Sequence, residues 1–393
     1  MNNDQLWQLA QEFGTPTYVF DLDAFSTRAD SIKAVLGSNV ALCFSIKANP
    51  FLVGSLPDVI QKLEVCSPGE LTVCEKMGVD MGQVIFSGIN KTLEDVSRAM
   101  TDGVGVFTAE SLLHLQLIDQ CARETGKSVP VLLRLTIGSQ FGMDENDIEQ
   151  IVARRADYAG VVLTGLHYFT GTQKKKASVV CDELDKVDEF SRTLYQRHGF
   201  TVRCLEYGPG LGVDYFGLEP DKAEQQLLES VAPRLKQAAE RYELTVEMGR
   251  YFSACCGTYL TRVMDIKCNC GTHYAVLDGG IHQINYDGQI MGMKIPELRL
   301  LPSSKGEGQH CDYTLCGSLC THNDILIRKV NLPELQIGDV LGFCRAGAYS
   351  VTEGMALFLS RELPRVFLYA KKHGFKQIRK LTPTDPMNTP DIQ

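Results

Sequence analysis

Three short stretches hold residue types that could act together on one substrate. Ser45-Ile46-Lys47-Ala48-Asn49-Pro50 places a lysine directly after an apolar run. An ammonium partly withdrawn from water there loses proton affinity and becomes a nucleophile able to form an imine. Gly208-Pro209-Gly210-Leu211-Gly212 lets backbone N–H groups come close to an anion, and Gly249-Arg250 adds a charged donor. Glu247, two residues before Gly249, supplies a carboxylate. Each stretch has a plainer reading, since a lysine at a sheet edge can simply snorkel and glycine-rich turns are common. Their positions in the fold must decide.

Eight short β-rich runs can carry these stretches: Ala41 to Ile46, Leu63 to Cys66, Gln83 to Phe86, Val104 to Phe107, Val131 to Thr136, Val161 to His167, Val202 to Tyr207 and Thr245 to Met248. Between them lie segments with apolar residues at three and four spacing, such as Glu70 to Met77, Ala109 to Thr125, Val179 to Arg197 and Ala223 to Arg241. Strict alternation of this kind means parallel pairing with right-handed crossovers. Eight even units predict an α/β fold with a closed (β/α)8 barrel, whose chemistry sits at the C-terminal strand ends. Lys47 follows the first strand, the Gly208–Gly212 loop the seventh and Gly249-Arg250 the eighth. A lysine for an imine, an anion cradle and a sheltered carboxylate are the protein parts that a pyridoxal 5'-phosphate ring needs.

After about Cys255 the texture changes to short strands broken by Gly, Asn and Asp: Thr258 to Ile266, Tyr274 to Asp278, Asp312 to Cys316, Asp324 to Lys329 and Val340 to Arg345. This predicts a second, all-β domain. Thr17 to Asp21 reads as a strand able to join it. The expected division is a barrel over 22–255 and a β domain from 1–21 and 256–393, with a disordered tail from Leu381, where three prolines stand among polar residues. Over 393 residues, 44% apolar and 22% charged, the chain can bury a sizeable core. Its net charge of -9 argues against a nucleic-acid partner. The absence of a leader or of a long apolar span predicts a cytoplasmic protein with no membrane partner. Fourteen cysteines, several within apolar runs (Cys43, Cys66, Cys204, Cys344), read as reduced thiols, and no spacing matches a metal site.

Nine motifs in order carry a family resemblance: GTPTYVFD (Gly14 to Asp21), SIKAN (Ser45 to Asn49), EVCSPGEL (Glu64 to Leu71), FSGINK (Phe86 to Lys91), GLHYFTGTQ (Gly165 to Gln173), GPGLGV (Gly208 to Val213), EMGR (Glu247 to Arg250), CGSLCTHND (Cys316 to Asp324) and RAGAYS (Arg345 to Ser350). Together they resemble the fold-type III pyridoxal phosphate decarboxylases, the group of diaminopimelate, ornithine and arginine decarboxylases. The resemblance implies that Lys47 carries the cofactor covalently, that Glu247 holds its ring nitrogen, and that Gly210, Gly212, Gly249, Arg250 and Tyr349 hold its phosphate. It further implies a homodimer in which Cys320 enters the partner's site as a catalytic residue, with Thr321 and Arg134 on the substrate side.

Three departures bear on the substrate. Phe169 stands where diaminopimelate and ornithine decarboxylases place a histidine against the cofactor ring. Thr321 stands where those enzymes follow the active-site cysteine with an acid that grips a distal ammonium. EMGR replaces EPGR. These features, with the later FLSR (Phe358 to Arg361), are similar to the secondary-metabolite branch, which includes butirosin-type, exosortase-associated and siderophore decarboxylases. That branch implies α-decarboxylation of an amino acid whose distal end is acylated, amidated or tethered to a carrier protein, and Lys174, Lys175 and Lys176 are a candidate patch for an acidic carrier. A free diamino acid is the rival substrate within the same chemistry. Racemisation is disfavoured because alanine-racemase-like enzymes pair the ring nitrogen with arginine, and a non-catalytic binding homologue because Lys47, Glu247 and the glycine loop are intact.

Overall fold

In the computed structural model, which describes residues 1–302 and 309–391, an N-terminal strand, β1 (Thr17–Asp21), precedes eight parallel strands. These are β2 (Ala41–Ser45), β3 (Ile60–Val65), β4 (Val84–Phe86), β5 (Val106–Ala109), β6 (Val129–Arg134), β7 (Val161–Phe169), β8 (Cys204–Gly208) and β9 (Glu243–Met248). They pair in that order and β9 closes on β2, with Cys43 opposite Glu247. All eight strand runs expected from the sequence are present, most with ends shifted by one or two residues. The crossover helices are held by local chemistry: Ser67 and Thr92 cap Pro68–Lys76 and Leu93–Thr101 through their side-chain oxygens. Gly199, at φ 60°, ends the long helix Ala177–His198.

The chain divides into two compact units, the barrel (Ser26–Val213 with Asp221–Phe252) and a second unit of Met1–Phe25, Asp214–Pro220 and the residues from Ser253 onward. The second unit is built on β10 (Gly257–Asn269), β11 (Thr272–Leu277), β12 (Leu298–Leu301), β13 (His310–Cys316), β14 (Ile325–Pro333), β15 (Val340–Cys344), β16 (Arg365–Ala370) and β17 (Gly374–Arg379). The path β14-β13-β11-β10-β1-β16-β17 is mostly antiparallel, and β15 joins β10 to β12. The TYVFD strand does join this sheet, antiparallel to β10 and parallel to β16.

The expected second sheet domain is present, and the helix Asn3–Phe13, started by a capping box between Asn2 and Gln5, adds to it by laying Leu6, Leu9 and Ala10 against Val19, Leu260, Leu301, Val340 and Phe367. One expectation for this unit needs correction. The segment from Leu381 is ordered through Asp391, the last described residue, rather than disordered. Thr382 bridges to Leu363, Thr384 donates to the Arg361 carbonyl, and Asn388 of the turn Asp385–Asn388 donates to the Leu357 carbonyl. Polar side chains bonding to backbone hold the tail, a device that leaves no apolar pattern to read.

Leu6 is fully buried in this cluster whereas Leu218 is fully exposed. Leu6→Ala is therefore expected to cost about 2–5 kcal/mol in urea unfolding, and Leu218→Ala to stay within about 0.5 kcal/mol of the parent.

Candidate active site

Lys47 sits on the single turn Ile46–Ala48 that leaves the C-terminal end of β2. Its ammonium donates to Glu64 Oε2 at 2.8 Å and to Cys66 Sγ at 3.5 Å, while the Cys66 thiol donates to Glu64 Oε1 at 3.3 Å. β3 supplies Glu64, which lies opposite Ser45 in its pairing with β2, and Cys66 follows directly after the strand. Burial alone would raise the Glu64 pKa, but the Lys47 ammonium, with lesser help from His167, holds it down at about 2. Burial, then the charge of Glu64, pushes the Cys66 thiol well up, so it stays protonated. Lys47 therefore rests as a cation against a carboxylate, with its side chain about two-fifths exposed.

Around the barrel interior His167 of β7, Glu206 of β8 and Glu247 of β9 are likewise buried. His167 Nε2 stands 3.4 Å from Glu247 Oε1. Burial, reinforced by Glu247 and Glu64 and opposed by His167, raises the Glu206 carboxyl to about 8. Glu247 and the Phe169 ring meet at Gly208: a Cβ there would fall 2.5 Å from Phe169 Cδ2 and 2.6 Å from Glu247 Oε1. Glycine at this position lets a ring and a carboxylate converge over the end of β8.

The loop after β8 is shaped against the loop after β7. Gly210, at φ 56°, would put a Cβ 1.9 Å from the Gly171 carbonyl oxygen, so no side chain is admitted. Lys174 N–H donates to Gly210 O at 2.9 Å, and Gly212 N–H to Lys174 O at 2.8 Å. Beneath them Glu183 of the Ala177–His198 helix accepts from Lys174 Nζ at 2.8 Å, and also from the Thr170 and Tyr207 hydroxyls. Lys174 is therefore a buttress of this loop, and of the lysine triplet only Lys175 and Lys176 are exposed. Gly249 and Arg250 follow β9, the strand beside β8.

At the ends of β5 and β6, Arg134 donates to Glu110 Oε1 at 2.9 Å and lies 4.8 Å over the Phe141 ring. Lys91 is buried near them and donates to the Gly88 carbonyl at 2.5 Å. Burial, against the pull of Glu110, lowers its pKa to about 8. The remaining candidates belong to the second unit. Cys320 is exposed in a turn organised by Asp324, whose carboxylate accepts from Leu319 N–H at 2.7 Å and Ile281 N–H at 2.9 Å. Thr321 lies in that turn, its hydroxyl accepting from Asn323 N–H at 3.4 Å. Tyr349 adopts φ 62°, a conformation that bulky residues rarely take and that collects at functional sites.

Residues 22–254 match the family described as "Pyridoxal-dependent decarboxylase, pyridoxal binding domain". The chain belongs to that family. It is 27% identical to an L-glutamyl-(BtrI acyl-carrier protein) decarboxylase of Niallia circulans, covering 100% of this chain and 98% of the relative. Likeness to a 2-((L-alanin-3-ylcarbamoyl)methyl)-2-hydroxybutanedioate decarboxylase of Staphylococcus aureus is 26%, over 92% and 95% of the two chains. The diaminopimelate decarboxylase of M. jannaschii, solved with L-lysine, shares the fold with a TM-score of 0.84 at 22% identity, covering 98% and 94%.

The barrel of this decarboxylase has features that fit the family's cofactor. Glu247 Oε2 is buried without a hydrogen-bond partner among the described residues. Phe169 offers a ring face beside it, and the Gly210 loop leaves room that side chains would fill. The interior partners Glu64, His167 and Glu206 are absent from the sequence-derived set, as are Lys91 and Glu110. A signal for them exists: a charged residue inside a run otherwise buried on both faces (LEV, LHY, LEY) faces something that compensates it.

The raised Glu206 carboxyl gives a pH test with a definite sign. Folded protein keeps this proton from about pH 4.5 to about pH 8 while the unfolded chain releases it, so the group lowers stability as pH rises through that window. Glu206→Gln removes the titration. In urea unfolding the variant should gain on the parent between pH 5 and pH 8 by about 1.4 kcal/mol per pH unit.

Proposed function

We propose that the chain removes the α-carboxylate of an amino acid whose distal end is acylated, amidated or carrier-tethered. The observation that carries this reading is the end-to-end likeness to a decarboxylase named for a glutamyl acyl-carrier protein. The siderophore-type relative, whose named substrate is likewise an amino acid joined to another acid, supports it. So does Thr321 after Cys320, which leaves that position without an acid for a distal ammonium. A buried ammonium without a partner costs several kcal/mol, enough for the site to discriminate against free diamino acids.

In this reading Lys47 binds the cofactor covalently, and Glu64, 2.8 Å away, keeps a proton on Lys47 Nζ when that nitrogen is cationic. Glu247 pairs with the ring nitrogen and Phe169 covers the ring face. Gly210, Gly212, Gly249, Arg250 and Tyr349 hold the phosphate through N–H groups, a guanidinium and a hydroxyl. Bound there, the cofactor supplies a protonated heteroaromatic ring that takes up the electrons of the breaking Cα–carboxylate bond. Arg134, anchored by Glu110, stands on the substrate side. Cys320, reaching in from the second subunit of a homodimer, is the group placed to return a proton to Cα.

Competition between substrates tests the reading. An acylated or carrier-linked glutamate should be turned over with kcat/KM at least about a hundredfold above free lysine, ornithine or diaminopimelate, a difference of about 2.7 kcal/mol in transition-state binding. Thr321→Glu should narrow that gap. Efficient turnover of a free diamino acid by the unaltered protein would refute the tethered substrate and leave the decarboxylase chemistry in place.

A further inference from the structure

The inside of a (β/α)8 barrel is ordinarily packed with branched apolar side chains. Here β7 and β8 set His167 opposite Glu206, and both are buried together with Glu64 and Glu247. Neither His167 nitrogen and neither Glu206 oxygen has a hydrogen-bond partner among the described residues. Such groups persist in a low-dielectric interior only when their charges compensate one another. His167 is faced by Glu247 from β9, Glu206 from β8, Glu64 from β3 and Arg134 from β6. Glu206 is faced in addition by Lys62 of β3, and Cys43 of β2 lies within reach of all three carboxylates. Burial disfavours a charged imidazole, yet Glu247 and Glu206 outweigh it and raise the His167 pKa. On the other side of Glu206 a cavity of about 200 Å³, walled by Lys62, Thr164 and Thr245, opens among the residues that begin the strands. That volume corresponds to several water molecules.

We propose that His167 acts through Glu247, as a positioning residue, to keep a proton on the cofactor's ring nitrogen, and that Glu206, a neutral acid at rest, ionises to offset that added charge. The inference rests on the reading that Glu247 pairs with that nitrogen. The physical reason is competition for one proton. A cation 3.4 Å from Glu247 attracts the charge of its carboxylate, so a proton between carboxylate and ring nitrogen stays on the nitrogen. Without the imidazolium that attraction is lost and the proton moves toward Glu247. Glu206, the residue across from His167 on the next strand, is the reserve anion whose ionisation offsets a second positive charge at Glu247.

Holoprotein loaded with cofactor labelled with nitrogen-15 in the ring tests this through the chemical shift of that nitrogen as pH is raised. The parent should hold the ring proton through neutral pH. His167→Leu should move the signal toward the unprotonated value, and Glu206→Gln should shift its titration downward by at least about one pH unit. In both variants kcat should fall by about tenfold while KM stays within about twofold. A second readout needs neither cofactor nor turnover: in cofactor-free protein the carbon-13 signal of the His167 ring should titrate above the ordinary imidazole range, and Glu247→Gln should lower it. If Glu247→Gln removes the ring proton while Glu206→Gln and His167→Leu leave it unchanged, the inference is overturned and the Glu247 reading stands. If Glu247→Gln also leaves it unchanged, that underlying reading fails. Should His167→Leu not fold, Glu206→Gln decides: a ring-nitrogen titration unmoved by it contradicts the proposal.

Discussion

Charge buried inside a parallel barrel is the constraint on which the site depends. Glu64, Glu206 and Glu247 sit where such barrels hold valine, isoleucine or leucine, and carboxylates there must be neutral or paired. Each solves the problem differently. Glu64 is ionised against Lys47 at 2.8 Å, Glu206 is held as the acid by burial, and Glu247 has His167 at 3.4 Å. The arrangement fixes where a positive group can add. One cation position, that of Lys47, is filled by the chain, and the unpartnered Glu247 Oε2 suits another.

The strands do more than carry these residues. Parallel pairing aligns Ser45 with Glu64, His167 with Glu206 and Cys43 with Glu247, so side chains far apart in sequence become lateral neighbours at one end of the barrel. Backbone shape then admits the rest. Gly208 allows Phe169 and Glu247 to converge, and Gly210 allows the loop after β8 to lie on the loop after β7. Glu183 ties that second loop to a long helix through Thr170 and Lys174, and the helix to β8 through Tyr207, which gives a glycine-rich turn a rigid support.

Much of this was legible in the residues themselves. Strand and helix periods reveal the barrel because its strands are apolar on both faces and its helices on one. Lys47, the glycine loop and Glu247 stand out because they follow strands, where a barrel keeps its chemistry. Strand β17 (Gly374–Arg379) was not visible, since its polar alternation suits an edge strand and carries no strong apolar period. The ordering of residues after Leu381 was hidden for a related reason: it rests on individual side-chain-to-backbone hydrogen bonds. Lys174 read as one of three surface lysines because its partner, Glu183, becomes a neighbour only when the loop and helix fold together.

The central claim is that Lys47, rather than another amine near the barrel mouth, bonds to the cofactor. Lys91 is a real competitor, being buried and lowered by that burial to a pKa of about 8. It is anchored on the Gly88 carbonyl, whereas Lys47 follows β2, the strand paired with Glu247's β9. Borohydride reduction of the holoprotein followed by peptide mapping separates the two directly. The account predicts a pyridoxyl group on the peptide containing Lys47 and none on that containing Lys91. Recovery of the label on Lys91, or on any other lysine, would contradict it.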